Sequence, residues 1–219
     1  MQTGTAAETR QNRRKARTAG AILGAAERLF LTHGYRATTV EQLAEEADVA
    51  IGSLYGHFGG KEGIYAALIE RALELDQRYC DQGWASGGED PIGRLVGLAD
   101  GYLRFASENP GYFRIFRFPP PDAPTDGPVV VAAERVTQRI RSETERMAGA
   151  IAEAIEARVM RDVDPRRAAA FLWAAWDGVI AAHLLPGNMG FTESEFEQVV
   201  SLGRQVLTLG LLEPRGGAE

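Results

Sequence analysis

Residues 38–62, with the sequence TTVEQLAEEADVAIGSLYGHFGGKE, constrain the fold of this chain more than any other stretch. Thr39 followed by Gln42 has the spacing of a capping box, so a helix is predicted to begin directly after the threonine. Asp48 then interrupts the apolar helical pattern, which restarts at Val49. Two short helices joined by so tight a turn are typical of a helix-turn-helix, whose second helix enters the major groove of DNA.

The outer face of the predicted second helix combines small side chains with polar ones. Small residues let a helix sink into the groove, and hydroxyl, imidazole and ammonium groups donate to phosphates or base edges. We therefore predict a DNA-binding surface on this helix, extended by neighbouring residues. The predicted DNA contacts are Arg13, Arg14, Thr39, Ala50, Ile51, Gly52, Ser53, Tyr55, His57 and Lys61.

Charge is distributed unevenly along the chain. The 219 residues carry a net charge of −6, which at first argues against a nucleic-acid partner. Residues 1–61, however, hold eight Lys/Arg against six Asp/Glu, whereas the remainder holds sixteen against twenty-four. This asymmetry fits a basic DNA-binding end on an acidic body. The five positive charges within residues 10–17 indicate a phosphate-contacting arm, and the alternative is a solvated helix start.

Two ordered runs resemble the DNA-binding signature of the tetracycline-repressor (TetR) family. They are T-V-x-x-L-A-x-x-A-x-V-x-x-G-S-L-Y-x-H-F-x-x-K-E over residues 39–62 and I-L-x-A-A-x-x-L-F-x-x-x-G-Y over residues 22–35. The chain departs from the family at Asp48, where the family usually has glycine, and at Gly59-Gly60, which predict a looser turn. The resemblance implies a ligand-responsive transcription regulator, most often a repressor, that binds a palindromic operator as a homodimer and is released by a small-molecule effector.

The rest of the chain also reads as helical, and the predicted fold class is all-α with about nine helices. We expect a disordered arm over residues 1–9, a three-helix DNA-binding domain over 10–61, an effector-binding and dimerisation domain over 62–212, and a tail over 213–219. Residues 83–88 are predicted as a loop, and so is the proline-rich stretch 118–128. The helix over residues 165–185 is apolar all round and is expected to be buried on every face.

The last two predicted helices carry more apolar residues than a single chain of this size is expected to bury. Pairing of these helices from two subunits into a four-helix bundle would bury them, and the alternative is an ordinary intrachain core. The predicted dimer contacts are Phe171, Ala175, Val179, Phe196, Val199, Val200, Gly203, Val206, Leu207 and Gly210.

Aromatic side chains fall on four successive predicted helices of the body and suggest a ligand cavity. Asp177 among them has two interpretations: an ion pair with Arg104 or Arg139, or a polar anchor for a ligand. The predicted ligand-binding residues are Tyr102, Phe105, Phe116, Met147, Trp173, Trp176 and Asp177. We expect an apolar or aromatic effector, whose binding is coupled to DNA through the helix over residues 62–81 as the only covalent bridge between body and DNA-binding domain.

Catalytic patterns are missing from the sequence. The three histidines are scattered, a lone Cys80 suits neither a disulfide nor a metal site, and phosphate-loop or nucleophile-elbow motifs are lacking. We predict neither enzyme activity nor a cofactor or metal, and the absence of an apolar span or signal peptide predicts a cytoplasmic protein. The alternatives are a ligand-independent DNA-binding protein with a purely structural helical body, and an enzyme whose helix-turn-helix is incidental.

Overall fold

The computed structural model describes residues 6–185 and 189–212, without the side chains of residues 6–9. Within these ranges the chain forms nine α-helices and no strand, which confirms the all-α prediction. The helices are α1 (Ala6–His33), α2 (Val40–Glu46), α3 (Ile51–Phe58), α4 (Lys61–Ser86), α5 (Pro91–Glu108), α6 (Pro110–Arg117), α7 (Pro128–Glu156), α8 (Pro165–Leu184) and α9 (Glu193–Leu211).

The chain divides into two compact units whose limits differ from the predicted domain boundary. The first unit contains the described residues up to Leu73 and residues 111–136, and the second contains residues 74–110 and the described residues from Thr137 onward. The backbone therefore passes between the units at three points, so α4 is not the only covalent bridge. Helix α1 begins at Ala6, inside the segment predicted as a disordered arm, and residues 1–5 and 213–219 lie outside the described part.

Local capping signals set several helix starts. The Thr39 hydroxyl accepts a hydrogen bond from the Gln42 N–H at 3.2 Å, and the Gln42 side chain accepts one from the Thr39 N–H at 2.9 Å. Thr192 and Glu195 form the same reciprocal box at α9. Asp164 caps α8 ahead of a proline in its first turn. These side chains satisfy amides that the first helical turn leaves unpaired.

A left-handed residue makes the turn between α2 and α3. Asp48 has φ 51°, a conformation that aspartate tolerates better than most side chains. The Val49 N–H then bonds back to the Ala44 carbonyl at 3.0 Å, which closes the turn. Leu43 and Leu54 are fully buried, so α2 and α3 meet through their apolar faces.

The core of the first unit is centred on three aromatic rings from α1, the following turn and α4. The ring centroids of Phe30, Tyr35 and Tyr65 lie 5.2–5.8 Å apart in tilted or edge-on arrangements. At the surface, Arg28 of α1 pairs with Glu46 of α2 at 2.8 Å. Helix α2 is thereby held against α1 by both packing and charge.

In the second unit, α4 and α5 touch backbone to backbone. A Cβ atom on Gly83 would lie 2.0 Å from the Gly97 carbonyl oxygen, and one on Gly101 would lie 2.3 Å from the Tyr79 carbonyl oxygen. The prediction of a loop over residues 83–88 is therefore wrong for residues 83–86, which belong to α4, whereas Gly87 and Gly88 lie in the turn that follows. Close packing against α5 outweighs the low helix propensity of glycine at this position.

A group of charged side chains between α4 and α7 is buried in the same unit. Asp76 and Glu143 are both fully buried and share Arg139, at 3.0 Å and 2.5 Å. Burial raises the pKa of Asp76 to about 6, against the opposing charge of Arg139. Burial of two acids beside one guanidinium is stable only because the pairs are close and hydrogen-bonded.

Candidate nucleic-acid interface and ligand cavity

One side of α3 packs into the core, and the other side is exposed, which we call its open side. Leu54 packs into the core, whereas Tyr55, one position along, is 52% exposed, and Ile51, Gly52 and His57 are exposed on the same short helix. Gly59, in the left-handed conformation with φ 76°, ends the helix. The open side of α3 is therefore a small, partly polar surface on the first unit.

The structure brings most of the predicted DNA contacts together on and beside α3. Ala50 is its N-cap and is exposed, and Ser53 is half-buried. Thr39 is exposed, and its hydroxyl already caps α2. Arg13 and Arg14 are exposed on α1. Contact of these residues with DNA stays a prediction.

Lys61, predicted as a phosphate contact, has two bonds within its own unit. Its ammonium donates to the carbonyl oxygens of Tyr35 and Thr38, each at 3.0 Å. It also lies 4.4 Å from the centroid of the Tyr35 ring. An ammonium has three donors, and at least two of them are used inside the protein. Sequence reasoning missed this role because the partners are backbone groups of a distant turn.

A cavity of about 330 Å³ lies within the second unit, between α5, α8 and α9. Its lining is mostly apolar, and its polar side chains include an ion pair between Asp100 of α5 and Arg204 of α9. The lining residues are Ile92, Leu95, Val96, Leu98, Ala99, Asp100, Tyr102, Met147, Met160, Leu172, Trp173, Trp176, Arg204, Leu207, Thr208, Leu211 and Leu212. An apolar lining with few polar groups is typical of small-molecule sites.

Four of the seven predicted ligand-binding residues line this cavity: Tyr102, Met147, Trp173 and Trp176. Phe105 is buried in the second unit, with its ring 6.2 Å from that of Tyr79, and Phe116 is buried in the first unit. Neither is among the lining residues. The contribution of α9 was missed, because an apolar stripe does not reveal which of its residues face a void.

Asp177 lies next to the cavity rather than in its lining. The Tyr102 hydroxyl donates to its carboxylate at 2.5 Å. The two arginines predicted as alternative ion-pair partners of Asp177 pair with other acids, Arg104 with Glu108 and Arg139 with Asp76 and Glu143. The carboxylate therefore orients Tyr102, whose ring packs 4.9 Å from that of Trp173.

The outer sides of α8 and α9 carry exposed apolar side chains, which we call the outer apolar face. Phe171 of α8 is 64% exposed, and Leu202, Val206 and Leu209 of α9 are 59–77% exposed. The expectation that α8 is buried on every face is therefore wrong for the single chain. Leu202 and Leu209 were missed, although they follow the same helical spacing as Val206.

The predicted dimer contacts divide between this face and the interior. Phe196 is buried, and Leu207 is half-buried and lines the cavity. Gly210 is exposed, and the remaining predicted contacts of intermediate exposure are Ala175, Val179, Val199, Val200 and Gly203.

The described residues offer neither a metal site nor a membrane span. Among the described residues, no group of His, Cys, Asp and Glu side chains could hold a metal ion. No helix in those ranges is long and apolar enough to cross a membrane. Cys80 is buried, with its thiol 3.5 Å from Asp76 Oδ1, and burial raises the pKa of this thiol well above its usual range.

Two protein-family models match the chain. The model for bacterial regulatory proteins of the tetR family matches residues 22–68, which include the helix-turn-helix. The model for the tetracyclin repressor-like C-terminal domain matches residues 95–201. The two matches together cover most of the chain.

Sequence relatives match mainly through the N-terminal part. The transcriptional repressor KstR2 of Mycobacterium tuberculosis is 39% identical over 80 residues, 36% of this chain and 39% of that protein. The repressor AcnR of Corynebacterium glutamicum is 43% identical over 63 residues, 28% of this chain and 34% of that protein. The alignments thus span less than half the length of these relatives.

Solved structures show the same fold over almost the whole chain. KstR2 of M. tuberculosis superposes with a TM-score of 0.65 at 20% identity, covering 90% of this chain and 95% of that one. The SmeT–triclosan complex gives 0.66 at 22% identity, covering 92% and 99%. The fatty acid degradation regulator FadR of Bacillus halodurans gives 0.68 at 19% identity, covering 88% and 95%.

Replacing Lys61 with methionine is expected to lower the free energy of unfolding by about 1–3 kcal/mol, because two half-buried carbonyls lose a charged donor. Thermal or denaturant unfolding measures the change. Lys15→Met, at an exposed position on α1, is the matched control and should stay within about 0.5 kcal/mol of the parent. Equal stability of both variants would contradict the structural role of Lys61.

Proposed function

Because the chain belongs to the tetracycline-repressor (TetR) family of DNA-binding transcriptional regulators, we propose that it is a ligand-responsive repressor. In this proposal a homodimer binds a palindromic operator and is released by a small, apolar or aromatic effector. The family consists of regulators rather than enzymes. The observation that carries the proposal is the open side of α3 at the end of the helix-turn-helix. A cytoplasmic location, where the operator would lie, is part of the same proposal.

The DNA-binding part is supported by shape and charge together. The small residues Ala50 and Gly52 at the start of α3 allow close approach to a groove, and Tyr55 and His57 provide donors on the exposed side. The basic segment over residues 10–17 offers the salt-dependent phosphate contacts that non-specific affinity requires. KstR2 and AcnR are named as repressors, which supports repression over activation.

The dimer is supported by the outer apolar face. Phe171, Leu202, Val206 and Leu209 expose a set of large apolar side chains on two adjacent helices, and such patches mark association surfaces. Two copies related by a two-fold axis would cover these side chains in a four-helix bundle. A two-fold protein would in turn require two matching DNA half-sites.

The effector is supported by the cavity. A cavity of about 330 Å³ lined by two tryptophans and many aliphatic side chains suits an apolar or aromatic guest. This volume favours a ligand-responsive regulator over a DNA-binding protein with a purely structural body. Triclosan is named with the structurally similar SmeT and serves here as a probe of the cavity, not as the proposed effector.

Selection of bound duplexes from a random pool is expected to recover a near-palindromic sequence. Tyr55→Phe should then weaken binding of that sequence by about two- to tenfold, since one hydrogen-bond donor is lost. Tyr79→Phe removes a hydroxyl from the second unit, where it bonds Glu108, and serves as the control. Failure to enrich any sequence would refute DNA binding, and a Tyr55→Phe variant that binds the enriched sequence as tightly as the parent would refute the DNA-binding face.

Sedimentation is expected to show a dimer for the parent chain and a monomer for the double variant Leu202→Glu, Val206→Glu. The substitutions place like charges in an apolar two-fold contact, where they are desolvated. The matched control is Val130→Glu with Val131→Glu, two exposed valines at the start of α7. A monomeric parent would end the dimer proposal.

Triclosan titration is expected to change the fluorescence of Trp173 and Trp176 in a saturable way. Ala99→Phe should weaken the apparent affinity by about tenfold or more, because the added ring occupies part of the cavity. Ala133→Phe, on an exposed part of α7, should titrate like the parent. Binding that is unaffected by Ala99→Phe would place the ligand elsewhere.

A further inference from the structure

The backbone of the turn between α1 and α2 is hydrogen-bonded by three side chains, those of Thr38, Lys61 and Asp122. It follows Gly34, whose φ of +87° reverses the chain after α1. The Thr38 hydroxyl donates to the Gly34 carbonyl at 2.8 Å, and Lys61 donates to the carbonyls of Tyr35 and Thr38. These bonds fix the carbonyl groups of the turn.

The amide side of the turn is bound by Asp122, far away in sequence. Asp122 lies in the proline-rich loop between α6 and α7, and its Oδ2 accepts a hydrogen bond from the Arg36 N–H at 2.7 Å. The backbone N–H groups of Arg36 and, to a smaller extent, Tyr35 hold the pKa of this carboxyl below its usual range. A Cβ on Gly34 would lie 3.2 Å from the same oxygen, so a larger residue there would crowd the carboxylate.

The position of α3 follows from this turn. Helix α2 begins at Val40, only four residues after Arg36, and α3 packs on α2 through the buried Leu43 and Leu54. A shift of the turn therefore moves α2, and α2 carries α3 with it. Asp122 binds a backbone N–H group of this turn, and Lys61 binds two of its carbonyl groups. Together they restrict that shift.

We propose that Asp122 is a positioning residue for DNA binding, which holds the turn between α1 and α2 so that α3 presents its open side in a fixed orientation. The inference rests on the proposed DNA-binding function. It predicts the direction in which affinity for DNA changes when the Asp122 carboxylate is removed. Removal of a negative charge from a DNA-binding unit should raise affinity for a polyanion if charge alone matters. Removal of this particular carboxylate should instead lower it.

The test compares Asp122→Ala, Asp122→Asn and the control Asp126→Ala, an exposed aspartate of the same loop. The probe is the duplex selected by the parent protein. Asp122→Ala should lose affinity about five- to tenfold, because a backbone donor loses its acceptor. Asp122→Asn keeps an acceptor oxygen and should bind at least as tightly as the parent, and so should Asp126→Ala. The slope of log K against log salt should stay the same in Asp122→Ala, since no phosphate contact is removed.

Parent-like or tighter binding by Asp122→Ala would overturn the proposal, and so would an equal loss in Asp122→Asn. Amide hydrogen exchange gives a readout that needs neither DNA nor a folded variant. In the parent, the Arg36 amide should exchange at least about tenfold more slowly than an unprotected amide, and rapid exchange would also overturn the proposal. If the parent selects no duplex, the proposed function fails, whereas the exchange rate of Arg36 still decides whether the turn is held.

Discussion

The bonds from the Lys61 ammonium to two backbone carbonyls are the contacts on which the arrangement of the helix-turn-helix depends. They join the start of α4 to the turn before α2, and they do so with a charged donor at half-buried carbonyls. The buried aromatic group of Phe30, Tyr35 and Tyr65 lies beside this junction, with the Tyr35 ring centroid 4.4 Å from the Lys61 ammonium. A helix of only eight residues, such as α3, is stabilised by such neighbours rather than by its own length.

Helix α9 presents apolar side chains on two sides. Its inner side supplies Leu207, Thr208 and Leu211 to the cavity, and its outer side exposes Leu202 and Val206. The wall of the proposed effector site and the proposed subunit contact are thus built on one helix, about a helix diameter apart. A guest that displaces α9 inward or outward would act on the subunit contact directly, so affinity for the guest and for the second subunit would be linked.

Local sequence signals predicted the helix starts and the helix-turn-helix well, because a capping box such as Thr39 with Gln42 involves residues only three apart. Long-range contacts were not predictable in this way. Residues 83–86 form helix because they pack on α5, and Lys61 turns inward because two carbonyls of a distant turn lie within its reach. The cavity was found only in part, because aromatic residues such as Trp173 and Phe105 have the same pattern in the sequence whether they line a void or fill a core.

The backbone contact between α4 and α5 has a mechanical consequence. With Gly83 against Gly97 and Gly101 against Tyr79, there is no layer of side chains between the two helices that could repack and absorb a displacement. A displacement of α5 at this crossing therefore requires a matching displacement of α4. Helix α5 also lines the cavity. A guest that widened the cavity by moving α5 would thus move residues 79–83 of α4 with it, within the second unit.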